Sequence, residues 1–200
     1  MKKIDLHIHT KASSQDQAFF FSEHNLTRYV RDADLDCIAI TNHNLFDREQ
    51  FEKIQSVLSI LVLPGIEVDV EKFHILVLAD GRDLDGFSRR CDEIAHKWQM
   101  TGSSLRHEEL ESILGDLRQY ILIPHYLKDP KISPESLERF EGHIRCGEVS
   151  SPKKFLACHK DPEMLVPVFF SDCRISDSLS DLPTKQTYID CEEITFGTLR

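Results

Sequence analysis

Short apolar, β-branched runs punctuate the chain and alternate with longer amphipathic stretches, the order expected when parallel strands alternate with helices. The first run carries Ile4, Leu6 and Ile8, and others follow at residues 37–40, 60–63, 74–78, 120–123, 146–149 and 166–170. Between them, residues 23–35, 46–58 and 84–100 place apolar side chains at helical spacing, and a further helix is predicted over residues 105–117. Ser103 or Ser104 is a candidate cap for that helix. Ser133 followed by Pro134 marks the start of another, over residues 134–141. Pro64-Gly65 reads as a turn ahead of Ile66-Glu67-Val68. The pattern predicts an α/β domain.

The polar positions add chemistry at the ends of these runs. In an extended strand His7 and His9, two residues apart, share one face. His43 follows the second run in Thr41-Asn42-His43-Asn44, Glu67 follows the third, and His74 opens the fourth. His125 lies in Pro124-His125-Tyr126 and Asp172 follows Ser171 after the last run. Imidazoles and carboxylates together form a donor set for a divalent cation, and in a barrel such strand-end residues converge on the C-terminal rim. Taken singly, each His reads equally as a hydrogen-bonded or exposed strand-end residue. Glu67 is different: between Ile66 and Val68, its carboxylate needs a partner. Asp5 is placed either to accept a hydrogen bond from a ligand imidazole or to serve as an ordinary strand-start aspartate. His24, His96, His107, His143 and His159 lie among charged residues and are expected at the surface.

The ordered motifs DLHIHT, TNHN, PGIE, a His before an apolar strand, PHY and FSD resemble the PHP domain, named for bacterial DNA polymerase and histidinol phosphatase. The resemblance runs from Lys3 to about Asp172. It implies a distorted TIM-like (β/α)7 barrel whose mouth holds two or three metal ions, with phosphoester hydrolysis as the usual activity. One ion would be held by His7, His9, Glu67 and Asp172. A second would be held by Glu67, His74 and His125.

Three departures from the family pattern bear on the third ion. Gln15 and Arg174 stand where the family has histidines, and Asn42 stands where it has Asp, so His43 is left as the one remaining third-site ligand. The expectation is therefore two divalent ions, with manganese, zinc and iron all suited to mixed imidazole and carboxylate shells. Arg174 is expected beside the lost site, where a guanidinium would replace part of the missing charge and grip a phosphate. The competing reading makes it a rim residue paired with a carboxylate. A water activated by the two ions would attack phosphorus without a protein nucleophile. His43 is then either the proton donor to the leaving oxygen or a bystander of the metal site.

Composition narrows the picture further. Two hundred residues at 40% hydrophobic content suffice for one core. A net charge of −10 opposes a broad, nonspecific nucleic-acid surface. Lys11, Lys128, Lys131, Lys153 and Lys154 could still line a path for one strand, although solvated lysines are the simpler reading. The six cysteines form no CxxC pair and are expected as reduced thiols, with Cys173 either buried or touching the site. No stretch of about 18 apolar residues suggests a membrane span. Met-Lys-Lys leads directly into a strand without a signal-peptide pattern, which points to the cytoplasm.

The phosphoesterase domain is assigned to residues 1–183, and residues 184–200 are read as a strand or linker. Thr195-Phe196-Gly197-Thr198-Leu199-Arg200 resembles the segment that follows PHP domains fused to SMC- or ABC-like ATPases, which implies a fused or associated ATPase as a partner. Two functions are expected to compete. One is a metal-dependent phosphoesterase acting on a phosphorylated small molecule or a nucleic-acid end. The other is a noncatalytic metal-bound module of a larger assembly.

Overall fold

The computed structural model describes residues 1–13, 16–140 and 142–200, and the apolar runs become its strands. Strands β1 (Lys2–His9), β2 (Cys37–Ile40) and β3 (Leu61–Val70) run parallel. β4 (Phe73–Leu78) returns antiparallel to β3, and β5 (Ile121–Leu127) is antiparallel to β4, so β5 resumes the direction of β3. β6 (Cys146–Val149) and β7 (Val166–Val168) continue in parallel. With β8 (Cys173–Arg174) beside β1, the sheet order is β7-β6-β5-β4-β3-β2-β1-β8. The two ends of this order are joined by residues 169–172, so the chain itself spans the seam of a nearly closed barrel. One reversed strand, β4, distorts the (β/α) pattern, as the resemblance implied.

Helices α1 (Glu23–Asp32), α2 (Arg48–Val57) and α3 (Leu84–Thr101) fall on the amphipathic stretches. Their apolar stripes, among them Leu26, Tyr29, Phe51, Ile54, Phe87 and Ile94, pack on Ile38, Ile66, Val68, Ile75 and Val77 in one outer core. Helix α4 (His107–Leu114) starts later than expected. Its cap is Arg106, whose backbone N–H donates to Glu109 at 2.9 Å, while the Ser104 hydroxyl donates to the Glu71 carbonyl at 2.7 Å. Ser133 does cap α5 (Pro134–Glu138), and the same Ser-Pro signal at Ser151-Pro152 starts α6 (Pro152–His159), a helix not anticipated from the sequence.

Pro64-Gly65 is not a turn, because β3 runs through it without a break. A Cβ on residue 65 would lie 2.7 Å from Leu78 Cδ2 and 2.9 Å from Thr41 Cγ2. Glycine is required there for close approach of neighbouring strands.

Residues 184–200 pack against the N-terminal end of the barrel. Strand β9 (Thr187–Ile189) pairs antiparallel with Lys2–Ile4, and helix α7 (Phe196–Leu199) inserts Phe196 into an inner core with Ile4, Leu6, Leu63, Leu76, Ile123 and Phe170. Among the described residues no helix is long and apolar enough to cross a membrane.

Candidate metal centre

The register of β1 against β2 shifts between Asp5 and Ile8, and this irregularity decides which side chains enter the mouth. Leu6 joins the inner core and Ile8 the outer one. Asp5 turns to α1 instead, accepting from the Tyr29 hydroxyl at 2.7 Å and from the backbone N–H groups of His7 and Ser171. The imidazole hydrogen bond considered for Asp5 is therefore not made. Burial raises its carboxyl to about 6 against the hydrogen bonds from Ser171 and Tyr29.

Five imidazoles form a closed circle. Neighbouring ring centroids are 5.1 Å apart for His7–His9, 4.7 Å for His9–His43, 5.4 Å for His43–His74, 5.2 Å for His74–His125 and 5.6 Å for His125–His7. Glu67, 1% exposed, lies among all five. Its Oε2 is 3.0 Å from His7 Nε2, 3.3 Å from His9 Nε2 and 3.1 Å from His43 Nδ1. Its Oε1 is 2.8 Å from His74 Nδ1 and 3.2 Å from His125 Nε2. The loop after β2 fixes this arrangement through the backbone, with Glu67 N–H donating to the Asn42 carbonyl and Asn44 N–H to that of Glu67.

Asp172 completes the first group of donors. Its Oδ1 is 3.1 Å from His9 Nε2 and 3.4 Å from His7 Nε2. It adopts a left-handed φ of 52°, a conformation that aspartate tolerates better than most residues. The structure thus brings together all seven residues singled out as ligands, namely His7, His9, His43, Glu67, His74, His125 and Asp172.

Four further groups enter the mouth that sequence reasoning missed or discounted. Asp69 Oδ1 is 3.1 Å from His74 Nε2, and its spacing of two from Glu67 on one strand was a usable signal. Glu148 is buried and accepts from His7 Nδ1 at 2.8 Å. Lys128 Nζ donates to Glu148 at 2.7 Å and lies 3.0 Å from Asp172 Oδ2. Asp16 has no sequence signal of its own. Gln15 lies outside the described residues.

Arg174 stands where the third group of donors, His9, Asp16 and His43, converges. Its Nε donates to Asp16 at 2.7 Å, Nη1 to the Asp172 carboxylate at 2.6 Å and to the Asp172 carbonyl at 2.8 Å, and Nη2 reaches His43 Nε2 at 3.2 Å. Because His43 Nε2 receives an N–H there, its proton belongs on Nδ1. Burial and the neighbouring His9 and His74 lower His43 to about 4 against the pull of Glu67 and Asp16.

The electrostatics fit divalent cations. Asp16, Glu67, Asp69, Glu148 and Asp172 face two permanent cations, Lys128 and Arg174. Burial works against the charge on His7, and Glu148 and Glu67 outweigh it, raising the imidazole to about 10. Burial likewise opposes ionisation of Glu67, while His7, His125 and His74 hold its carboxyl well below the usual range. A divalent ion among the same oxygens would take over the neutralising role of the His7 proton. His9 Nδ1 and both nitrogens of His125 are buried without a hydrogen-bond partner among the described residues, although carboxylate oxygens lie close to His125 Nε2. Such atoms suit metal coordination better than hydrogen bonding.

The remaining candidates are bystanders. His24, His96 and His159 are exposed and His143 is half-buried, but His107 is buried and stacks edge-on against Phe140 at 4.5 Å, because the first turn of α4 packs on the end of α5. Lys11 pairs with Asp47 and Lys154 with the Leu127 carbonyl, while Lys131 and Lys153 are exposed. All six cysteines are free. Burial pushes the Cys173 thiol up, away from reactivity.

By sequence, no family model and no curated protein matches the chain. By structure, it is similar to a chain from Bifidobacterium adolescentis provisionally described as a metal-dependent phosphoesterase, at 13% identity and a TM-score of 0.56, covering 90% of this chain and 92% of that one. It is also similar to an amidohydrolase from Chromobacterium violaceum solved with sulfate and no metal, at 12% identity and a TM-score of 0.54, covering 94% and 92%. A two-domain protein from Bacteroides vulgatus containing a PHP-like metal-dependent phosphoesterase, assigned by prediction, aligns at 17% identity and a TM-score of 0.48, covering 87% of this chain and 52% of that one. The likeness is one of fold, shared over most of each chain with the Bifidobacterium adolescentis chain and the Chromobacterium violaceum amidohydrolase.

Proposed function

We propose that the chain is a metal-dependent hydrolase of phosphoester bonds that holds two divalent cations, with Glu67 as the bridging ligand. The division of imidazoles between the two oxygens of Glu67 carries this proposal. Oε2 faces His7 and His9, which Asp172 joins, and Oε1 faces His74 and His125. Bound there, manganese, zinc or iron ions supply positive charge to phosphoryl oxygens and activate water at neutral pH.

The protein's own groups prepare that chemistry. Glu148 accepts from His7 Nδ1 and so holds the tautomer that presents Nε2 to the mouth. Asp69 Oδ1 lies 3.1 Å from Nε2 of His74, whose Nδ1 is turned to Glu67 Oε1 at 2.8 Å. Arg174 has its guanidinium engaged on Asp16, His43 and Asp172, so we assign it the fixed positive charge of the third pole in place of an ion, rather than the phosphate grip expected of it. His43 accepts from Arg174 at Nε2, the nitrogen a proton donor would need to have charged, and its role is to anchor that guanidinium. The substrate is a phosphorylated small molecule or a nucleic-acid end.

The test is hydrolysis of p-nitrophenyl phosphate and of a short end-labelled oligonucleotide by manganese-loaded protein. His9→Ala is expected to abolish turnover, and His96→Ala, at an exposed site, to leave it unchanged. Bound metal without turnover of either substrate would favour a noncatalytic metal-bound module.

A further inference from the structure

We propose that Lys128 is the residue that takes hold of the substrate's phosphate. This rests on the phosphoesterase reading of the mouth. Lys128 lies one residue past the end of β5 and three past His125, and its side chain is 12% exposed at the opening shared with Asp172. An ammonium has three N–H donors and no acceptor. One reaches Glu148 Oε1 at 2.7 Å and a second Asp172 Oδ2 at 3.0 Å. The remaining neighbour is His7 Nδ1 at 3.1 Å. That nitrogen cannot accept, because it carries the proton it donates to Glu148 Oε2 at 2.8 Å. The third N–H of Lys128 is thus left without an acceptor among the described residues, beside the ligand group of His7, His9, Glu67 and Asp172.

Arg174 on the other side of Asp172 offers the opposite case, since its donors are spent on Asp16, His43 and Asp172. The two cations divide the work between them. The planar guanidinium is fixed in a fork of acceptors, while the ammonium, a compact charge on a flexible stem, keeps a donor free and can follow a phosphoryl oxygen.

The experiment compares wild type, Lys128→Met and Lys128→Arg, each loaded with manganese, by metal content per chain and by calorimetric affinity for inorganic phosphate. Lys128→Met is expected to keep both metal equivalents and to bind phosphate roughly 10- to 100-fold more weakly, the worth of one charge-assisted hydrogen bond. Lys128→Arg should recover part of that loss. Unchanged phosphate affinity in metal-loaded Lys128→Met would overturn the proposal, and so would loss of metal, which would make Lys128 a support for Glu148 and Asp172 only. Should the Met variant not fold, Lys128→Gln is read by the same two measurements. Wild type that binds manganese but no phosphate would sink the phosphoesterase reading itself, a result separate from equal affinities in wild type and variant.

Discussion

The two ends of the barrel are made by the same strands and have opposite chemistry. At the base, Ile4 and Leu6 of β1, Leu63 of β3 and Ile123 of β5 meet Phe196 in a dry, close-packed core. Toward the mouth the same three strands present His7 and His9, Glu67, and His125. The step from Leu6 to His7, or from Ile123 to His125, crosses from a region that stabilises the fold by burying apolar surface to one that burdens it with facing carboxylates. Clefts at the base, such as the one of about 450 Å³ lined by Phe87, Tyr120, Phe196 and Arg200, gather no comparable set of imidazoles and carboxylates. Separating the two tasks lets the mouth be tuned for charge while the base holds the barrel.

Substitutions should therefore separate chemistry from stability. The largest expected effect is at the mouth. Glu67→Gln removes the oxygen charge shared by both ligand groups, and hydrolysis should fall roughly a thousandfold, about 4 kcal/mol of transition-state stabilisation. Steady-state kinetics with p-nitrophenyl phosphate measures it, and circular dichroism should show the fold intact. At the base the result should reverse. Phe196→Ala empties part of the inner core and should cost about 2–4 kcal/mol in urea unfolding. Metal content of the folded variant should be unaltered. A smaller effect is expected between the two ends, where Tyr29→Phe deletes the hydroxyl that donates to Asp5 at 2.7 Å and receives Gln186 Nε2 at 2.9 Å. It should lower stability by about 1–2 kcal/mol and leave metal binding in place. Loss of metal in Phe196→Ala or Tyr29→Phe would show that the two ends are coupled.

The base and the mouth also differed in how far the sequence reveals them. Strand positions followed from apolar runs, and the residues that meet in the mouth followed from polar positions at their ends, a local pattern that any barrel sheet imposes. Of the two roles open to Asp5, the imidazole contact fails because its carboxylate accepts from the Tyr29 hydroxyl of α1, a partner that local sequence does not reveal. Asp16 and Lys128 escaped because they lie outside strands, where no periodicity reports direction. Lys128 looked like one of several solvated lysines, and only the fold sets it against Glu148 and Asp172. His107 was misjudged from its charged sequence neighbours, since the Phe140 ring that covers it comes from another element. Pro64-Gly65 carried a turn signal that tertiary packing overrode, the glycine serving the contact with Leu78 and Thr41.

The central claim is two cations bridged by Glu67, with the Arg174 guanidinium as the third positive pole. Metal equivalents per chain, measured by elemental mass spectrometry after manganese reconstitution and removal of free ions, test it most directly. Two equivalents are expected. Three would mean that an ion competes successfully with Arg174 for Asp16 and His43, and none would mean that the circle of imidazoles around Glu67 is held by protons alone.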